Sequence, residues 1–191
     1  KRKDWLCLNG EWEFCTAKNS VVPGFFGEKI KVPFPPQSVL SGIHRDIPEN
    51  DYLFYRKEFS LPENFNRGRV LLHFGAADQY AKVWLNGKLV GEHEGGYEHF
   101  SFDITSVLKE KNVLIVSVTD RMSSFVLPYG KQSAKRGGMW YTPICGIWQP
   151  VWLESVPEVY IKDISVKTTL SSATVSVTMS DGSAAEGRIL A

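Results

Sequence analysis

The stretch Val83-Trp84-Leu85-Asn86-Gly87-Lys88-Leu89-Val90-Gly91-Glu92-His93-Glu94-Gly95-Gly96-Tyr97 decides the fold. Val83 and Leu85 alternate with Trp84, the period of a strand buried on one face. Asn86-Gly87 then supplies two residues that tolerate positive φ, as both central positions of a type I′ turn require. Leu89 and the residues after it lead the chain back as the second strand of a hairpin. A Gly-Gly-Tyr loop follows, and a further strand is expected from Phe100 to Ile104.

Working outward, strand-like runs dominate. From Leu8 to Phe14, Trp12 and Phe14 share one face while Glu11 and Glu13 share the other. Lys29 to Val32 leads into Pro33-Phe34-Pro35-Pro36, which cannot lie in a central strand and reads as an ordered loop. Phe54 to Leu61 sets Tyr55, Lys57 and Phe59 against Phe54, Arg56 and Glu58. Arg69 to Phe74 is nearly continuous apolar sequence, the mark of a central strand. Asn112 to Asp120 opposes Val113, Ile115 and Ser117 to Leu114, Val116 and Val118. In Gln149 to Glu154, Val151 and Leu153 alternate against Trp152. No amphipathic helix of three turns is visible. One helical turn is expected at Thr105 to Leu108, capped by Asp103 or Thr105 and closed onto the core by Leu108. The class is therefore all-β, and the best architecture is a jelly-roll β-sandwich over residues 1–155.

Around Ser155-Val156-Pro157 the texture changes. Trp and Phe vanish, and Val159-Tyr160-Ile161, Ile164-Ser165-Val166 and Thr174 to Met179 are separated by polar turns. Residues 156–191 read as the opening strands of an immunoglobulin-like sandwich. Such a domain needs about 100 residues, so this one is expected to be incomplete.

Composition excludes several functions. The net charge is +1, from 22 basic and 21 acidic residues, with no clustered basic face for nucleic acid. No apolar run reaches membrane-spanning length. Lys1-Arg2-Lys3 reads as a solvated end. The cysteines, Cys7, Cys15 and Cys145, are odd in number and hold no CxxC pair, so neither a disulfide framework nor a zinc site is expected. Buried free thiols are the default, although Cys7 and Cys15 could face one another on neighbouring strands. The odd cysteine count and the missing signal-peptide pattern favour the cytoplasm. The first residue is Lys1, which reads as a trimmed N-terminus and leaves export open. Aromatic residues make up 13% of the chain, enough for a sandwich core and for rings that stack on the C–H faces of sugars.

Other constellations carry no chemistry. His93 and His99 stand six apart with Gly95-Gly96 between them, which breaks the helix that an H-E-x-x-H zinc site needs. The segment reads instead as a tight turn anchored by Tyr97 and Phe100. No phosphate-cradling Gly motif and no G-x-S-x-G elbow occur. Cys145 has no evident base to activate it as a nucleophile.

Four blocks, in order, resemble the N-terminal sugar-binding domain of glycoside hydrolase family 2. They are Trp5-Leu6-Cys7-Leu8-Asn9-Gly10-Glu11-Trp12-Glu13-Phe14, Tyr55-Arg56-Lys57-Glu58-Phe59, Asn86 to Thr105, and Gly146-Ile147-Trp148-Gln149-Pro150-Val151-Trp152-Leu153-Glu154. The resemblance covers roughly residues 5 to 155. It implies that an immunoglobulin-like domain and then a (β/α)8 barrel follow in the parent protein. That barrel would carry two glutamates, acid/base and nucleophile, about 5–5.5 Å apart. On that reading the chain is an inactive piece of a retaining β-glycosidase, β-galactosidase first, with β-glucuronidase or β-mannosidase as alternative specificities. The implied partners are a carbohydrate substrate and the chain's own barrel, and a homo-oligomeric parent is left open. No cofactor is expected in this chain, while the parent is left room for a divalent or monovalent cation. A free-standing carbohydrate-binding module and a purely structural docking domain are the rival readings.

The resemblance also has departures. Many family members carry an Asp six residues before the Gly of the closing motif, reaching into the active site. Trp140 occupies that position, and Gln149 replaces the motif's Arg. The Asp contact cannot be carried over. The loop from Gly130 to Gly146, with Lys131, Lys135 and Arg136, still resembles the one that approaches the barrel, so Trp140 and Tyr141 are candidate stacking rings. His44 and Arg45 are candidates to hydrogen-bond a sugar, because the polar loop from Ser41 to Asp51 borders the active-site mouth in the family. For each pair the bland alternative is a ring that pins its own loop, or a solvated loop.

Overall fold

A computed structural model describes residues 4–122 and 126–183, and every strand pairing among them is antiparallel. The strands are β1 (Trp5–Cys7), β2 (Gly10–Ala17), β3 (Glu28–Val32), β4 (Tyr52–Phe59), β5 (Arg69–Phe74), β6 (Ala77–Asp78) and β7 (Tyr80–Leu85). They continue as β8 (Lys88–Glu94), β9 (Phe100–Asp103), β10 (Asn112–Thr119), β11 (Gly146–Ile147), β12 (Val151–Val156), β13 (Ile161–Thr168) and β14 (Ala173–Met179). A six-stranded sheet, β3-β2-β4-β10-β7-β8, faces a four-stranded sheet, β1-β12-β5-β9. Together they form an all-β sandwich of the jelly-roll kind. The basic start, Lys1-Arg2-Lys3, lies outside the described residues.

The hairpin forms as its sequence dictates. Asn86 (φ 54°) and Gly87 (φ 82°) both sit in the left-handed region, so the turn is of the type I′ sort. Val83 and Leu85 are fully buried. The Asn86 side chain does more than turn the chain. Its Nδ2 donates to the Val107 carbonyl (2.8 Å) and to Asn112 Oδ1 (2.9 Å), and its Oδ1 accepts from the Val113 N–H (3.0 Å). One residue thereby ties the β7–β8 turn to the start of β10.

Between the sheets, alternating positions interlock. Val70, Leu72, Phe74, Val151 and Leu153 of one sheet meet Trp12, Phe14, Leu53, Tyr55, Leu114 and Val116 of the other. Each fully buried large apolar side chain contributes roughly 1.5–3 kcal/mol. Phe14 and Trp12 stand edge-on to Tyr55, at centroid distances of 5.1 and 6.5 Å. Trp12 Nε1 donates to the Leu8 carbonyl (2.8 Å), so the largest core ring leaves no polar atom unpaired. The Tyr55 hydroxyl accepts from the Ile147 N–H (3.3 Å). Gly146 is required beside it: its φ is +84°, and a Cβ there would come 2.2 Å from that hydroxyl.

Four expectations need correction. The block Trp5 to Phe14 holds two strands and the expected run from Leu8 begins only at Gly10, because Leu8-Asn9-Gly10, with Gly10 at φ 106°, passes the chain from one sheet to the other. Cys7 and Cys15 therefore belong to different sheets and do not face one another, and Cys7 is exposed; only Cys145 is buried. At Thr105–Val107 the turn is a 3-10 turn whose N-cap, Ile104, makes no side-chain cap bond. Asp103 instead accepts from the Thr105 N–H (3.0 Å) and hydroxyl (2.6 Å). Finally, of the run Val159-Tyr160-Ile161 only Ile161 is strand, and it belongs with Ile164-Ser165-Val166 to the single strand β13, paired with β14. On this hairpin Ile164 opposes Val177 and Val166 opposes Val175, yet all four side chains are exposed.

Candidate functional site

β7 and β10 carry the chain from the Asn86 turn to the opposite end of the sandwich. There the loop after β10 meets the loop between β3 and β4. Two residue pairs join them, and a third contact braces the longer loop. Gln37 grips Cys145 twice, donating to its Sγ (3.2 Å) and accepting from its N–H (3.4 Å). Arg136 forms an ion pair with Asp46. Gln132 Oε1 accepts from the Ile144 N–H (3.0 Å), bracing the long loop across its own base.

This bracing presents the two rings. Gly137 and Trp140 exchange backbone hydrogen bonds (3.4 and 3.1 Å), closing a turn whose glycines have φ 118° and 58°. Trp140 stays 40% exposed at its tip and Tyr141 68%. Lys131 Nζ lies 5.9 Å from the Tyr141 ring centroid. Trp140 lines a groove of about 370 Å³ with Glu49, Met122, Tyr129, Gln132, Ser133 and Ala134. His44 is exposed, in a left-handed conformation (φ 49°). Arg45 is held by Glu28, whose carboxylate it meets through both guanidinium arms, one of them at 2.7 Å. The structure thus brings the loops of both residue pairs together through Asp46–Arg136. It leaves His44 open to solvent and engages the Arg45 guanidinium within the domain.

Beneath the loop lies a layer that sequence reasoning missed. Asp78, Gln79, Asp120 and Gln132 are all buried. Burial, with repulsion from Asp120, pushes the Asp78 carboxyl up to about 7. Burial, with repulsion from Glu49, pushes Asp120 up to about 6. Asp78 packs against the Gly96 backbone, where a Cβ would sit 2.2 Å from its Oδ1. The signal was there to read: Asp78-Gln79 follows the apolar-rich stretch Val70 to Ala77, in which His73 is the one other polar residue. Burial raises the Cys145 thiol to about 12, which removes it as a nucleophile. His93 stacks on Phe100 (4.1 Å) and His99 on His73 (5.2 Å), so their rings belong to separate packing contacts. This end presents exposed rings and polar loop groups.

The comparisons agree with this architecture. Residues 33–141 match the family described as glycosyl hydrolase 2 galactose-binding domain-like, and the chain belongs to that family. A β-galactosidase of Thermoanaerobacter pseudethanolicus is 32% identical over 158 residues, covering 77% of this chain and 20% of the relative. A β-glucuronidase of Felis catus is 27% identical, covering 64% of this chain and 22% of its own length. The solved β-D-glucuronidase of Dictyoglomus thermophilum superposes with a TM-score of 0.71 at 26% identity, over 94% of this chain and 34% of that one. The chain spans about a fifth of the length of the curated relatives it matches.

Proposed function

We propose that this chain is the N-terminal, non-catalytic domain of a family 2 glycoside hydrolase that cleaves terminal β-glycosides with retention, β-galactosides first. In this reading the two catalytic carboxylates sit on a (β/α)8 barrel that the chain lacks. The observation that carries it is the family match over a chain spanning only a fifth of each relative. The loop end supports it, since Trp140 and Tyr141 are exposed on a braced support. Residues 156–191 open an immunoglobulin-like domain. The support is the β13–β14 hairpin, whose apolar face has no cover among the described residues and which two strands alone cannot stabilise in water.

Two measurements test the proposal. The purified chain is expected to hydrolyse no aryl β-glycoside above a buffer control, and robust turnover would overturn it. In the full-length enzyme, Trp140→Ala is expected to lower kcat/KM for an aryl β-galactoside by roughly tenfold, or about 1.4 kcal/mol. An unchanged kcat/KM would make the ring structural only. Comparing aryl β-galactoside, β-glucuronide and β-mannoside as substrates selects the sugar.

A further inference from the structure

Where the chain leaves the sandwich, its backbone is tightly held. β12 ends at Val156, whose register partner is Arg69 at the start of β5. Pro157 follows, with a fixed φ and no N–H to donate. The backbone of residues 156–158 then crosses directly over Gly68. A Cβ on Gly68, whose φ is +153°, would lie 2.6 Å from the Glu158 nitrogen, 2.9 Å from the Pro157 carbonyl carbon and 3.1 Å from the Val156 oxygen. All three are backbone atoms, so glycine is the residue that lets the two segments approach this closely. The turn around Gly68 is fixed as well. Its N–H donates to Asn66 Oδ1 (2.9 Å), and the Arg67 N–H donates to Ser155 Oγ (2.8 Å).

Arg69 adds a clamp. Its Nε donates to the Glu158 carbonyl (3.2 Å), one terminal nitrogen meets the Glu158 carboxylate (2.7 Å), and the other meets the Asp103 carboxylate (3.1 Å). The guanidinium is a planar fork, so three engaged nitrogens fix its orientation. Asp103 is anchored in turn. Its other oxygen accepts from the Thr105 N–H and hydroxyl, and the Thr105 hydroxyl oxygen accepts from the Val70 N–H (2.9 Å). A continuous hydrogen-bonded chain therefore runs from β5 through Thr105, Asp103 and Arg69 to Glu158. Exposed ion pairs are weak singly, but a network with forked geometry holds position. Beyond the clamp, the Tyr160 N–H donates to Ser180 Oγ (3.1 Å), and its carbonyl accepts from the Ser180 N–H (2.9 Å). Both ends of the β13–β14 hairpin are tied there. Val159 alone separates the clamped Glu158 from the tied Tyr160.

We infer that residues 156–160 are a fixed joint, seated on Gly68 and clamped by Arg69, which sets the direction in which the strands after the sandwich leave it. A tether that swings freely needs several consecutive residues without tertiary bonds, and this segment has one. Gly68 and Arg69 are thus positioning residues for whatever the hairpin carries. The joint lies at the Asn86 end, since the turn that holds Thr105 is the one whose Val107 carbonyl accepts from Asn86. The inference takes the β13–β14 hairpin as it stands. It depends neither on the barrel nor on the kind of domain the hairpin opens.

Two measurements on the 191-residue chain test it. A glutamyl endopeptidase cuts after Glu158 and after Glu110, which sits in an exposed bend and serves as the internal reference. Arg69→Ala and Gly68→Ala are each expected to raise the rate at Glu158, relative to Glu110, by roughly tenfold or more, because cleavage follows the population of opened backbone. Arg69→Lys keeps the charge and loses the fork, and should fall between Arg69→Ala and the wild type. By NMR relaxation, the Val159 amide should have an order parameter of about 0.85 in the wild type and below about 0.6 in Gly68→Ala. A wild-type value already below about 0.6, or a Glu158 rate that neither variant changes, overturns the inference. If Gly68→Ala does not fold, Arg69→Ala, a change at an exposed side chain, still decides it. Such a failure leaves the proposal about the barrel intact, because Trp140→Ala kinetics report on the other end.

Discussion

The two ends of the sandwich are built on opposite plans. At the Asn86 end, local rules and tertiary bonds agree: a turn that requires positive φ has Asn-Gly, and the same Asn side chain makes three hydrogen bonds across to Val107, Asn112 and Val113. At the loop end, polar and ionisable groups are buried under a long loop held by a few distant contacts, and large rings are left in solvent. Local and tertiary constraints coincide in the first, while the second leaves Trp140 and Tyr141 exposed. Sites that bind are commonly less well satisfied than the scaffold that carries them.

The sharpest way to break this contrast is Gly146→Ala, at the joint between loop and core. Ala at φ +84° and the collision with the Tyr55 hydroxyl should cost about 3 kcal/mol. For a domain of this size that is roughly 6–12 °C in Tm, read by calorimetry. A shift under a degree or two would mean that the loop end yields freely. Next, Asn86→Ala should cost about 2 kcal/mol through its lost hydrogen bonds and strained turn. Asn86→Gly keeps the turn and separates the two contributions. If both variants melt with the wild type, the hairpin end is not the anchor argued here.

The third test uses pH. Asp78 and Asp120 have folded pKa values raised from 3.8 to about 7 and about 6. The folded state therefore holds protons that the unfolded chain releases. Their contribution is full below about pH 4 and is lost as the pH rises through 6 and 7. Unfolding free energies from urea titrations should fall between pH 5 and 8 by on the order of 2 kcal/mol, and Asp78→Asn should flatten that decline. A wild-type profile that is already flat would show these carboxylates to be compensated in solution. The smallest effect is expected for Arg136→Ala, which removes the exposed pair to Asp46 and should cost no more than about 1 kcal/mol. A Tm loss larger than that of Asn86→Ala would make the loop contacts, not the hairpin, the dominant constraint.

How far the residues could be read depended on how near in sequence their partners lie. The Asn86-Gly87 turn, the continuous apolar run of β5, the alternation in β10 and β12, and Trp12 with Phe14 as core were legible because backbone sterics and strand period act over a few residues. The split between β1 and β2 was not, because an alternating pattern looks the same whether or not the chain changes sheet. Trp140 and Tyr141 stood out as large rings in a Gly-rich loop, whereas the Arg45 pairing with Glu28 could not be foreseen.

By itself, then, the sequence determined the all-β class, the hairpin register and the faces that make the core, since these follow from local conformational preference and hydrophobic period. Only the tertiary structure decided which distant residues meet at the loop end. Gln37 meets Cys145 across 108 residues and Asp46 meets Arg136 across 90. Asp78 and Asp120 share one buried layer, and Trp152 stacks on both His73 and His99, which come from two other segments of the chain. Such encounters depend on strand order across a sheet and on burial, neither of which any local stretch of residues encodes.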